Sequence, residues 1–182
     1  MRARMLVALL ALAAAARADD EFKLESPDVG PDKEFSQDFA YDAFGCTGSN
    51  QSFALNWSGA PAGTQSFAVT TFDPDALRGK GFWHWFVINI PAATTSLPRD
   101  AGNRDNSKLP AGARQLKTNF NKIGYGGSCP PRGGTPHNYV VTVYALKTRK
   151  LEVPAEALAG EALPIVEANA LGKATLTYKY GR

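Results

Sequence analysis

Runs of apolar and β-branched residues recur along the chain, each bounded by Gly, Pro, Asn or Asp. Five of them predict strands: Ser52–Trp57, Ser66–Phe72, Trp83–Ile90, Tyr139–Leu146 and Ala174–Tyr180. Trp83–Ile90 and Tyr139–Leu146 are almost unbroken in hydrophobicity, as inner strands covered on both faces are. The pattern therefore predicts a mainly β fold, a two-sheet β-sandwich. Helical patterning is scarce. Ala155–Ala159 follows Pro154, while Ile165–Leu171 follows Pro164 and precedes Gly172. Proline suits the first helical position and glycine the residue past the last, so two short C-terminal helices are predicted. Ala92–Ile123 shows little periodicity and many Asn, Arg, Lys, Gly and Thr. It is too long for an ordinary connector, and stretches of this kind are functional or mobile.

The first residues follow a different pattern. Arg2 and Arg4 precede the apolar run Met5–Ala16, and Ala16-Arg17-Ala18 places small residues where a signal peptidase reads. Residues 1–18 read as a secretory signal peptide and 19–182 as a single domain, exported to a periplasm or secreted. The run falls short of the ~20 residues that cross a bilayer as a helix, and no later run is longer, so a soluble chain without an integral membrane segment is expected. The formal net charge of +3 then changes meaning. Residues 1–18 hold three arginines and no acid, and the remaining basic and acidic residues balance, which removes the electrostatic support for a nucleic-acid partner. Export also alters the reading of Cys46 and Cys129, the only two cysteines. In an oxidising compartment they read as a disulfide, two separate buried thiols being the alternative. Two Cys and two His on scattered segments make a poor metal site, and neither metal nor cofactor is expected.

Three segments hold residues that core packing leaves unexplained. In Thr71-Phe72-Asp73-Pro74-Asp75 a strand runs into two carboxylates two positions apart, which extended backbone points the same way. They either converge on one spot or serve a turn by accepting neighbouring backbone N–H groups. His84 sits inside the apolar run Phe82–Phe86, as a satisfied core histidine or as one facing a ligand beside a carboxylate partner. The Gly124–His137 segment is rich in glycine and contains Gly127 and Ser128; such backbone either turns its N–H groups onto an anion or forms a surface turn. Pro130 and Pro131 donate no N–H, and the spacing is not that of a nucleotide-binding P-loop. Together Asp73, Asp75, His84, His137 and the Gly-Ser turn describe a small polar pocket at one end of the sandwich, framed by Trp83, Trp85, Tyr125 and Tyr139. A phosphate monoester or diester fits it. Binding without catalysis is the favoured reading; alternatives are a phosphoester hydrolase using the same Asp and His, and a protein inhibitor acting through residues 92–123.

Asp73-Pro74-Asp75-Ala76, Trp83-His84-Trp85 with Asn89-Ile90-Pro91, and Gly124-Tyr125-Gly126-Gly127 through Cys129-Pro130-Pro131 to His137-Asn138-Tyr139 resemble the phosphatidylethanolamine-binding proteins. Within that superfamily they are most similar to the bacterial Raf-kinase-inhibitor-like YbhB/YbcL type. Cys46–Asn50, Asn56–Pro61 and the ending Leu171–Arg182 resemble it as well. The resemblance implies a β-sandwich with short C-terminal helices and a pocket for phosphoryl or phospholipid head groups. It implies Asp73, Asp75, His84, Gly127, Ser128, Pro130 and His137 as the ligand-binding set. It also implies action by binding, as inhibitor or scaffold for a protein target, with no settled catalysis. Ser128 and Leu77 stand where the family pattern has proline.

Overall fold

The computed structural model describes residues 21–182. The expected signal peptide lies outside the described residues. The strands are β1 (Lys23–Glu25), β2 (Leu55–Ser58), β3 (Ser66–Asp73), β4 (Phe82–Pro91), β5 (Ser96–Leu97), β6 (Arg114–Gln115), β7 (His137–Leu146) and β8 (Ala170–Tyr180). All the predicted strands are present, and the molecule is mainly β with two antiparallel sheets. The larger sheet runs β6-β4-β3-β7-β8 and the smaller β1-β2-β5.

The unbroken hydrophobicity of β4 and β7 follows from burial on both faces. Trp85, Val87, Tyr139, Val141 and Val143 enter one core, with Phe53, Leu55 and Trp57 from the β2 side of the molecule. Phe86, Ile88, Tyr144 and Leu146 enter a second core on the other face, closed by Leu151, Ala159, Ala162 and Val166. At about 25 cal/mol per Å² of apolar surface removed from water, these two layers are the main favourable term in folding.

Residues 92–123 are built into this frame. They supply β5, β6 and the buried Leu97, Ala101 and Leu116, and the Gln115 side chain ties the stretch together by accepting from Trp85 Nε1 at 2.6 Å and donating to the Asn103 carbonyl at 2.6 Å. A bridge links Cys46 and Cys129 across 83 residues of sequence, with Cα atoms 6.0 Å apart. A loop of that length is worth about 4–5 kcal/mol in the loop-entropy account.

The helical expectation needs correction. A single turn, α1 (Ala76–Gly79), follows β3 with Leu77 and Arg78 in left-handed backbone at φ 52° and 59°, and residues 155–158 form no helix: Ala157 N–H closes a turn onto the Pro154 carbonyl. The C-terminal helix α2 spans Ala159–Ala168, with Pro164 inside it rather than at its start. Its start is set by the Glu161 carboxylate accepting from Leu158 N–H at 2.9 Å, which satisfies an otherwise orphaned donor. Asn169 ends it, its side chain donating to the Ile165 carbonyl at 2.8 Å, so Gly172 falls within β8. No helix among the described residues is long and apolar enough to cross a membrane.

Candidate functional site

The C-terminal end of β3 lies beside the N-terminal end of β7, and this register brings Asp73 to His137. Asp73 is 2% exposed, and its Oδ2 accepts from His137 Nδ1 at 2.7 Å. Its Oδ1 accepts from the Asp75 and Ala76 N–H groups at 2.9 and 3.0 Å. Asp73 therefore makes the Asx turn and holds the imidazole at once. The carboxylate's donors are all supplied by the fold, and they compensate its charge in place.

His84 owes its position to an irregularity in β4. Thr71 pairs with Trp85 and Phe72 with Trp83, so His84 is an extra residue, a β-bulge. His84 and Trp85 thereby leave the same face, while Trp83 packs on the other with Phe86. The His84 ring lies 5.2 Å from the Tyr139 ring, edge to face. Its Nδ1 contacts the Gly126 carbonyl at 2.7 Å; a carbonyl only accepts, so Nδ1 carries the hydrogen and Nε2 is left as an acceptor. Burial pushes the His84 pKa down, and the imidazole is neutral at pH 7.

Asp73, His84, His137 and Tyr139 line one pocket of about 250 Å³. Tyr139 has 0% exposure, and its hydroxyl has no partner with hydrogen-bond geometry among the described residues. Burial, then the charge of Asp73, raises its pKa well above the ordinary value, so it is a donor at any physiological pH. The remaining wall is apolar or disulfide: Phe44, Leu77, Phe82, Phe120, Cys129 and Pro130 contribute to it. No group of three or more His, Cys, Asp or Glu able to hold a metal ion occurs among the described residues.

Of the expected binding set, Asp73, His84, Pro130 and His137 meet in this pocket, while Asp75, Gly127 and Ser128 do not line it. Asp75 is exposed and turns to Asn138, whose backbone N–H and side-chain amide donate to Oδ2 at 2.7 and 2.8 Å. Those two bonds hold its carboxyl below the usual carboxylate range. Gly127 N–H donates to Asn50 Oδ1 at 2.7 Å and Ser128 N–H to the Phe39 carbonyl, so these N–H groups serve the fold rather than an anion. The glycines here permit close packing: a Cβ on Gly127 would meet the Ala40 carbonyl carbon at 2.4 Å, and one on Gly126 the Phe120 ring at 2.1 Å. Ser128 Oγ is buried against Tyr178 Oη at 3.1 Å. Of the four expected framing aromatics only Tyr139 lines the pocket; Trp83 belongs to the opposite core, Trp85 is bound to Gln115, and Tyr125 Oη donates to the Phe39 carbonyl.

Phe82 and Tyr139 were accessible to sequence reasoning, since each stands two positions from a pocket histidine on an extended strand. Phe44, Leu77 and Phe120 gave no such signal. They arrive from turns whose course is set by backbone bonds and the disulfide.

A family model described as phosphatidylethanolamine-binding protein matches residues 25–181. YbcL of Escherichia coli is 45% identical over 159 residues, covering 87% of each chain. YbhB of the same organism is 42% identical over 131 residues, covering 72% of this chain and 82% of its own. The crystal structure of Escherichia coli YbcL, described as a member of the mammalian PEBP family, superposes with a TM-score of 0.86 at 44% identity, covering 89% of this chain and 99% of that one. A phosphatidylethanolamine-binding protein homologue from Chlamydia trachomatis superposes with a TM-score of 0.70 at 21% identity, covering 88% and 97%, a likeness of fold alone. With the family model matching residues 25–181 and YbcL alike in both sequence and fold, this chain belongs to the phosphatidylethanolamine-binding protein family.

Proposed function

We propose that this chain is an exported binding protein whose 250 Å³ pocket takes a phosphate-like anion or a phospholipid head group, and that it acts by capture, as an inhibitor or scaffold, rather than by turnover. The observation that carries the reading is the division of labour at the pocket. Both imidazoles have Nδ1 committed to the protein, His137 to a carboxylate and His84 to a carbonyl. Each is thereby fixed in orientation with Nε2 left for a ligand. His137 Nε2, when protonated, donates to phosphoryl oxygens. Neutral His84 Nε2 accepts, from a P–OH or from the ammonium of an ethanolamine ester. A ligand that both donates and accepts is the best match, and the family to which the chain belongs is named for one.

Calorimetry with phosphoethanolamine at pH 7 tests this. Saturable heat is expected with the wild-type chain, falling at least tenfold in affinity in His137→Ala and in His84→Ala, since each removes about 1.5–3 kcal/mol of charge-assisted bonding. Equal heat in both variants would sink the reading. One observation favours hydrolysis as a second reading: an imidazole held by a buried carboxylate is also how a general base is oriented. Release of product from a generic phosphodiester, lost in Asp73→Asn, would establish it.

A further inference from the structure

The disulfide joins the pocket's wall to the segment that overhangs its mouth. Cys129 lines the pocket, next to the buried Ser128. Cys46 anchors the tip formed by residues 42–45, all of them exposed, from which Phe44 reaches the pocket while 78% exposed. The tip's base is closed by Gly48 N–H on the Tyr41 carbonyl at 2.9 Å and Asn50 N–H on the Ala40 carbonyl at 2.9 Å. Beyond that base two ties reach across to the pocket wall: the disulfide, and Arg182, whose guanidinium donates to the Gly45 carbonyl at 2.6 Å and to the Pro130 carbonyl at 2.7 Å.

Phe44 also has φ +57° and Gly45 φ +76°. A phenylalanine holds left-handed backbone only where its surroundings over-determine it. The one ring stack the structure gives Phe44 is with Tyr41, at 5.6 Å, so the over-determination comes mainly from the ties.

We propose that the pocket is complete only in the oxidised chain: disulfide formation between Cys46 and Cys129 seats Phe44 over the mouth, so that ligand affinity is acquired on oxidation and lost on reduction. This rests on the pocket being the binding site. A dithiol reductant passes two electrons and two protons to the disulfide, giving two thiols and its own disulfide. The tip, left with Arg182 as its one tie to the pocket wall, then samples the many conformations open to an exposed segment. Affinity falls by the fraction of time the mouth is formed, about tenfold if that fraction is about a tenth.

The test measures phosphoethanolamine affinity by calorimetry on the full chain, oxidised and then in excess dithiothreitol, with near-UV circular dichroism reporting the fold and amide exchange reporting residues 42–46. Reduction is expected to weaken binding about tenfold, to speed exchange at the tip and to leave the aromatic signal unchanged. Reoxidation is expected to restore affinity. If the reduced chain unfolds, Phe44→Ala and Arg182→Ala in the oxidised chain decide, each expected to weaken binding with the disulfide intact. Undiminished affinity in a folded, reduced chain, or in both of these variants, overturns the proposal. Absence of heat from the oxidised wild-type chain instead defeats the pocket reading itself.

Discussion

Two cavities sit at opposite ends of the central strands. One, of about 650 Å³, lies where β3 begins and β4 and β7 end, lined by Thr64, Gln65, Asn89, Gly112, Arg149 and Lys150 among others. The other, of about 250 Å³, lies where β3 ends and β7 begins. The charged groups of the larger one are exposed and unfixed: Arg149 has no ion-pair partner among the described residues, and Lys150 reaches only the exposed Glu152, at 3.3 Å, while the fixed Asn89 and Thr64 spend their bonds on the Leu151 N–H and the Pro61 carbonyl. In the smaller one the polar groups are buried or half-buried, and the ionisable Asp73, His84 and His137 are each committed to a particular protein partner. A binding site needs groups whose positions are already fixed before the ligand arrives, and that requirement outweighs volume.

The contrast is broken most severely by Asp73→Ala. It orphans His137 Nδ1 and the N–H groups of Asp75 and Ala76, and is expected to cost about 3–5 kcal/mol in chemical denaturation together with measurable phosphoethanolamine binding. Acidification comes next. The pKa of His84 is depressed in the folded chain, so below about pH 6.5 the unfolded chain takes up a proton that the folded one refuses. Stability is expected to fall with decreasing pH by up to about 1.4 kcal/mol per unit until the folded pKa is reached. His84→Asn, which keeps a donor for the Gly126 carbonyl, is expected to remove this component from a pH series of urea melts. Tyr139→Phe should separate binding from stability. It removes a buried hydroxyl that lacks a partner, so stability is expected to hold or rise by up to about 1 kcal/mol while phosphoethanolamine affinity, carried by the two imidazoles, stays within about twofold. At the other end Arg149→Ala is expected to change the unfolding free energy in chemical denaturation by less than about 0.5 kcal/mol and to leave phosphoethanolamine affinity unaltered. An effect there equal to that of His137→Ala would erase the distinction between the two ends.

The sandwich was legible because β4 and β7 are buried on both faces, which leaves an unbroken apolar run in the sequence. The helices were less so. Pro154 and Pro164 suggest helix starts, yet Glu161 reaching back to Leu158 N–H places the start between them, a three-residue signal that needs no proline. The pairing of Asp73 with His137 was foreshadowed by residue type, since a half-buried imidazole wants a carboxylate. The exclusion of Asp75, Gly127 and Ser128 was not legible, because partners far away in sequence decide it, Asn138 for Asp75, the Asn50 side chain for Gly127 N–H and the Phe39 carbonyl for Ser128 N–H, and no local pattern reports where those lie.

The bulge at His84 makes the length of this strand segment, as much as its composition, a functional quantity. Deleting one residue between Thr71's partner Trp85 and Phe72's partner Trp83 would straighten the ladder. The cavity would then keep only the His137 imidazole, while Trp83 and Trp85 would hold their present opposite faces by simple alternation. Substitutions in Phe82–Phe86 can be graded by volume and polarity; an insertion or deletion there instead decides whether this strand delivers an imidazole to the cavity at all.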